Sequence, residues 1–541
     1  MEKAEKKDKK EQRRRRKQRM ARLYTYLRYL YCATPFVLGV YGYLQFWPKQ
    51  YWNSLYAALA LYGASCEVEN PNLPLEIARW WAIAVTGSGV VFLIHPLRER
   101  LLRFWIRICG GTIVYGSSFY TKKLAEDIRL EEGGCFPRVI LIEEGKASPA
   151  GRQVVMLGNG ADNFLFYQNN RAIFADSQVY INMETIYPVG VVPYDVNAFS
   201  ISEGMARLYW KSYPLFPCEG EDKSRKIEIG LIGFGNLGQN LLVYGLLRNV
   251  YHRKQKIVYH IWGKTEDSFL WQHKVFAEKG EQKDDNNEAK PLFLDGTEDC
   301  VVFHKQDWSA PIEIEQIKKL DRLIFCEDHE NYKNMGRFLY LLSTEEVRAI
   351  GGGRTAIHMK LGEGESFEIA GDVKTQFCFF GRHEEVATKD CIIQESLLQE
   401  AKEMNLSYQK EKHKGENYQK NAEQAWNELE HFFDRSSNIV AADYKDVLCA
   451  LLRECLRQKG KISEEDRQRL AALEHMRWCR FHWWNNWSSD SKEGTKDVRR
   501  RRHPALCPYE ELSKQEQRYN LERVEECLQR VGIELESVRN S

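Results

Sequence analysis

Ile227-Glu228-Ile229-Gly230-Leu231-Ile232-Gly233-Phe234-Gly235-Asn236-Leu237-Gly238 decides the reading of this chain. A short run rich in Ile and Leu, a Gly-x-Gly-x-x-Gly loop and then a helix-forming stretch, Gln239–Leu247, form the context in which such a loop meets a phosphate. The first glycine permits the tight turn, the second lets backbone approach the anion, and the third lets helix pack on strand. Gly233, Gly235, Asn236 and Gly238 are therefore candidate nucleotide-binding residues. A second strand is expected at Lys256–Gly263, with no carboxylate at its end until Glu266 and Asp267. Further strands are expected at Cys300–His304, Arg322–Cys326, Arg354–Leu361 and Gln376–Gly381, with a helix over Asn331–Leu342. Strands alternating with helices predict a parallel, doubly wound sheet. His304 and His358 stand alone, so no pair for hydride transfer is evident.

Upstream, Gly111–Tyr120 reads as strand and turn, Thr121–Glu132 as helix, and Arg138–Glu144 as a strand ending on acid. Val154–Asp162 and Ala175–Ile181 continue the alternation. The order resembles a TrkA-N (RCK-type) Rossmann domain. That resemblance implies a nucleotide site at Gly116, Ser118 and Glu143, although Ser118 and Thr121 occupy positions where glycines are usual.

Before it lie two uncharged runs, Tyr29–Trp47 and Trp80–Leu97, each close to the roughly 20 residues needed to cross a bilayer. Basic residues precede the first (Lys3–Arg22) and follow the second (Arg98, Arg100, Arg103, Arg107), placing both termini on the cytoplasmic side. The helix-like Trp52–Leu61 and the turn at Tyr62, Gly63 and Ser65 fit a re-entrant segment, with Glu67 at its mouth and Gly87 and Gly89 as bending points. Span, re-entrant helix and span resemble the two-helix potassium-channel pore, without its Thr-Val-Gly-Tyr-Gly filter.

The C-terminal third carries Trp426–Leu429, Arg435–Asn438 and Ala441–Asp443. It continues with Leu470-Ala471-Ala472-Leu473-Glu474-His475-Met476-Arg477-Trp478, Trp484–Trp487 and His503–Leu512. These motifs resemble the RyR domain, the repeat named after ryanodine receptors and found also in bacterial proteins. A carboxylate, a guanidinium and an aromatic face within one and a half helical turns suit a planar anion. The resemblance makes Arg435, Asn438, Glu474, His475, Arg477, Trp478, Trp487, His503 and Tyr509 candidate ligand-binding residues, and Lys496–Arg502 could add phosphate affinity. The competing reading is a tryptophan core with an internal Glu474–Arg477 ion pair.

Composition sets the outer bounds. The chain has 541 residues and a net charge of +2, which points to no particular polyanion. Fourteen cysteines without a Cys-x-x-Cys pair argue against a zinc or redox motif. The expected organisation is a basic segment over 1–28, a two-span pore over 29–107, a TrkA-N-like domain over 108–220, a second Rossmann-like domain over 221–386, and a helical RyR-like region over 387–541. Together they imply an inner-membrane, multi-pass, homotetrameric channel or effector. It would be opened by a nucleotide or oligonucleotide signal from a signal-producing partner protein, in keeping with antiphage defence. A nucleotide or dinucleotide ligand is the one small molecule implied, and no metal is. The alternatives are a membrane-anchored NAD(P)-dependent oxidoreductase and a non-conducting, membrane-anchored sensor.

Overall fold

The computed structural model describes Tyr26 and residues 29–93, 95–133, 137–143, 145–183, 196–216, 222–264, 267–277, 290–327, 331–362, 374–413, 418–489 and 495–539. The basic stretch Lys3–Arg22 and Glu144 lie outside them. The chain divides into two compact units, Met1–Ile181 and Asn182–Ser541.

The first unit opens with helix α1 (residues 29–46), α2 (Tyr51–Ala60), α3 (Leu73–Leu93) and α4 (His95–Cys109). Among the described residues no helix is long and apolar enough to cross a membrane. This overturns the two-span pore over 29–107, the membrane hairpin in the fold class and the multi-pass inner-membrane location. The physical reason is that uncharged is not the same as apolar. Residues 29–46 contain four tyrosines, Gln45, Thr34 and two glycines. The second uncharged run is shared between two helices: α3 carries Glu76 and Arg79 near its start, and α4 carries four arginines. Helices α1, α2 and α3 instead pack on one another through Tyr43, Ala57, Ala58, Leu61, Leu75, Ala78 and Ala82.

The residues assigned to a pore are accounted for by this packing. The Tyr62 hydroxyl donates to the Cys32 carbonyl at 2.5 Å, and its own carbonyl accepts from Thr86 at 2.8 Å. Gly63 ends a short 3-10 turn, the Ser65 amide donates back to Ala60, and the Glu67 amide donates to the Tyr43 hydroxyl. Gly87 and Gly89 lie inside α3.

After α4 the chain alternates: β1 (Thr112–Tyr115), α5 (Phe119–Glu131), β2 (Val139–Ile142), β3 (Arg152–Val155), α6 (Gly160–Asn169), α7 (Arg171–Phe174) and β4 (Gln178–Asn182). These strands pair in parallel in the order β2-β1-β3-β4. β1 is buried along its whole length, as strands covered on both faces must be.

The second unit begins with β5 (Val196–Phe199) and α8 (Ile201–Ser212), then β6 (Lys226–Ile232), α9 (Asn236–Arg248) and β7 (Lys256–Trp262). Next come α10 (Asp267–Gln272), α11 (Lys274–Ala277), β8 (Cys300–His304), α12 (Pro311–Ile317), β9 (Arg322–Phe325), α13 (Asn331–Leu341), α14 (Thr344–Ala349), β10 (Ile357–Lys360) and β11 (Phe377–Phe380). β6 to β11 form a parallel sheet in the order β11-β10-β9-β6-β7-β8. Counted from β6, that is the 3-2-1-4-5-6 order of the doubly wound dinucleotide fold, with its switch point at the glycine loop.

Short helices α15 (His383–Val386) and α16 (Lys389–Ile392) lead to α17 (Gln399–Lys412), α18 (Ala422–Asn427), α19 (Phe432–Lys459), α20 (Glu464–Trp484) and α21 (Lys514–Arg539). A reciprocal cap between Ser463 and Asp466 starts α20. Both α19 and α20 are anchored to the sheet layer. Arg207 on α8 makes a two-pronged pair with Asp443, and the Tyr444 hydroxyl donates to the Val250 carbonyl at 2.5 Å. The fully buried Arg480 donates to Asp295 at 2.6 Å, Thr297 at 2.7 Å and the Leu246 carbonyl at 3.0 Å, with Asp299 at 2.8 Å.

Candidate functional site

Two places in the second unit compete for the role: the glycine loop and a cavity among the C-terminal helices. At the loop, Gly233 adopts φ +103°, a conformation that favours glycine. A Cβ there would lie 2.4–2.7 Å from Glu327, and one on Gly238 would lie 2.3 Å from the Gly233 carbonyl oxygen. Gly233 is thus required where the loop meets the chain leaving β9, and Gly238 where α9 packs on the loop. Gly235 is the N-cap residue just before α9 and offers no side-chain cap, and the Asn236 carbonyl accepts from Asn240. Phe234, 3% exposed, packs edge-on against Phe269 and Phe303 at 5.0 and 5.5 Å. Trp484 stands beyond Phe269 and stacks on His273 at 3.9 Å.

The corresponding loop of the first unit is filled in a different way. Gly116 has φ +131°, and a Cβ there would strike the Met156 carbonyl at 2.0 Å. Ser118 accepts from the Thr121 amide to cap α5, while Glu143 pairs with Lys122 at 3.1 Å.

The cavity measures about 610 Å³, within the range of small-molecule sites. Four helices contribute side chains at three- and four-residue spacing, the spacing that lines one helix face. From α17 come Tyr408 and Lys412; from α19, Phe433, Asp434 and Asn438; from α20, Glu474, His475, Arg477, Trp478 and His482; from α21, Glu516, Tyr519 and Arg523. Lys496 and His503 complete the wall from the loop after α20.

Arg477, 1% exposed, donates through Nε and Nη2 to Glu474 at 2.9 and 2.7 Å. Its Nη1 is buried and has no hydrogen-bond partner among the described residues. The internal ion pair therefore exists, and it leaves one guanidinium donor unmet in a side chain that lines the cavity. Trp478 sits among three histidines: His475 stacks on it with ring centres 5.6 Å apart, His482 is tilted against it at 3.8 Å, and His503 meets it edge-on at 4.9 Å. Burial pushes the His482 imidazole well below its ordinary range, against a hydrogen bond from its Nδ1 to the Trp478 carbonyl. Burial, then the nearby Lys496 ammonium, brings His503 down to about 4. Burial also lowers His475, which donates to the Cys507 carbonyl at 2.9 Å. The three rings are neutral near pH 7, so the wall's charge comes from Lys and Arg against Asp and Glu. Four cations face three carboxylates.

Residues 461–536 match the family model described as the RyR domain. No curated protein and no solved structure matches the chain. The match covers α20, the loop after it and most of α21, so α17 and α19 both lie outside the RyR segment.

Of the residues named from sequence, Asn438, Glu474, His475, Arg477, Trp478 and His503 line this one cavity. Trp487 stands behind it, stacked on Phe433 at 5.2 Å with the Lys496 ammonium 5.4 Å from its ring. Tyr509 donates to Gln468 at 3.0 Å and supports His475 from outside. Arg435 turns elsewhere: it lies 5.7 Å over Trp426 and lines a second, smaller cavity with Ile201 and Leu397. Of the basic run only Lys496 reaches the main cavity, since Arg501 holds the Asn485 carbonyl and Arg502 pairs backbone with Asp497. The sequence reading missed Tyr408, Lys412, Tyr519 and Arg523. Their signal was a repeated pattern, a tyrosine followed four residues later by a cation on the same helix face.

Proposed function

We propose that the helices α17 to α21 form a receptor for a planar, anionic ligand of nucleotide type, and that the protein receives a small-molecule signal. The observation that carries this reading is the unmet Nη1 of the buried Arg477 on the wall of a 610 Å³ cavity beside the Trp478 ring. A buried donor without a partner is costly, and a phosphate or carboxylate from a ligand would satisfy it. Neutral histidines add polar, stackable surface without adding charge, and a base stacks well on such rings. The ligand would reach this protein from a partner that makes it. Arg480, three residues beyond Arg477, grips the loop Asp295–Asp299 before β8, so a movement of α20 would be felt at the parallel sheet.

The test is calorimetric titration of the full chain with ATP, AMP, NAD and adenosine. Changing Arg477 alone would strand Glu474, so the informative variant is Glu474→Gln with Arg477→Gln. Loss of a charge-assisted buried contact costs about 1.5–3 kcal/mol, which predicts binding weakened roughly 10- to 150-fold. Binding by the double variant equal to wild type overturns the site.

A further inference from the structure

We infer that α17, a helix outside the RyR segment, is the wall that sets which ligand this cavity accepts, with Tyr408 stacking on the ligand and Lys412 reading its phosphate charge. The inference rests on the receptor reading above and goes further by assigning specificity to residues that the family match does not contain. Tyr408 and Tyr519 line the cavity yet remain 45% and 41% exposed, which places these two rings at its rim. Arg477 and Trp478 form the deeper part, Arg477 being almost wholly buried. A ligand long enough to reach Arg477 therefore passes between rim tyrosines carried by α17 and α21, each with a cation four residues on, Lys412 and Arg523.

α17 is held in place to serve as this wall. Glu400 pairs with Arg530 of α21 at 2.6 Å, and Glu411 lies 3.9 Å from Arg518. On the other side the Asn405 amide donates to the Ala425 carbonyl at 3.0 Å. These contacts fix the helix without using Tyr408 or Lys412, which line the cavity and are exposed. Arg523 already holds Glu526 at 3.1 Å and is largely covered, so the exposed cation at the rim is Lys412. An aromatic face from each side with that ammonium beside it fits a phosphorylated nucleoside better than an uncharged one.

The experiment is equilibrium binding of ATP, AMP and adenosine to the full chain and to Tyr408→Ala, Tyr408→Phe and Lys412→Met. Tyr408→Ala should weaken all three ligands by about 5- to 150-fold, and Tyr408→Phe should restore them, because stacking needs the ring alone. Lys412→Met should weaken ATP most and leave adenosine unchanged. Both positions are exposed, so the variants fold, and a melting curve checks it. Wild-type ATP affinity in Tyr408→Ala and Lys412→Met, with affinity lost in the Glu474/Arg477 double variant, overturns the role of α17 and leaves the receptor standing. A wild-type chain that binds none of the three overturns both.

Discussion

The glycine loop at β6–α9 and the cavity under α20 lie in the same compact unit, and they invert what their sequences announce. The loop carries a complete Gly-x-Gly-x-x-Gly motif at the switch point of a six-stranded parallel sheet, where ligands ordinarily bind. Yet each of Gly233 and Gly238 is needed to let backbone approach backbone, and Phe234 is packed into an aromatic cluster with Phe269 and Phe303. The C-terminal helices carry tryptophans, histidines and an internal ion pair, the composition of an ordinary core. They enclose a cavity with an unmet guanidinium donor. A motif specifies backbone shape, whereas a site also requires space beside that shape.

The largest expected effect concerns the joint between these two regions. Arg480 is 0% exposed and serves Asp295 and Asp299 together. Arg480→Met leaves two carboxylates buried near each other with no cation, and breaking one side of a buried pair costs about 3–5 kcal/mol. Chemical denaturation should therefore show a loss of that order, with α20 and the β7–β8 edge loosening together. A loss below about 1 kcal/mol would mean that the cavity and the sheet are energetically separate, and that α20 cannot carry a signal between them.

Next comes the loop itself. Gly238→Ala places a methyl group 2.3 Å from the Gly233 carbonyl oxygen, so backbone must move. Overpacking of this kind typically costs about 1–3 kcal/mol. Nucleotide affinity measured on the folded variant should stay at the wild-type value, because the cavity is built from other elements. A variant that keeps its stability but loses ligand would return the binding role to Gly233, Gly235, Asn236 and Gly238.

How much was legible follows from the same contrast. Periodicity located the second sheet closely: the expected strand Cys300–His304 and the helix beginning at Asn331 stand where they were read. Branched and aromatic runs between turn residues are local signals, and a parallel sheet follows from their alternation. The RyR segment was legible too, since Glu474, His475, Arg477 and Trp478 sit on one helix. The N-terminal helices were misread because charge was counted and hydropathy was not. Tyr29, Tyr31, Tyr41, Tyr43 and Gln45 are uncharged, yet they leave α1 short of the apolarity a bilayer requires. Tyr408 and Arg523 were missed because only tertiary packing brings α17 and α21 to the same cavity. No spacing within either helix names the other.

The smallest effect, and the one that separates the two regions most finely, is their response to acid. At these two regions four histidines, whose ordinary range lies near pH 6.5, are held lower by burial in the folded chain. His475, His482 and His503 surround Trp478, with His503 at about 4, whereas His273 stands alone beside the loop's aromatic cluster. A depressed histidine binds fewer protons folded than unfolded, so its contribution is fully present above about pH 6.5 and is lost as pH falls toward the folded value. As pH falls from 6.5 toward 4, the range over which His503 loses its contribution, three depressed rings weaken the cavity and one weakens the loop. Hydrogen exchange followed across that window should therefore show protection falling first over residues 475–489, while 227–247 stay protected longer. An anion in the cavity would give the incoming protons a partner, so ATP should delay the loss over 475–489 and leave 227–247 unchanged. Loss of protection at the loop before the cavity, or ATP protection confined to 227–247, would reverse the assignment of which region is packed and which is built to receive a ligand.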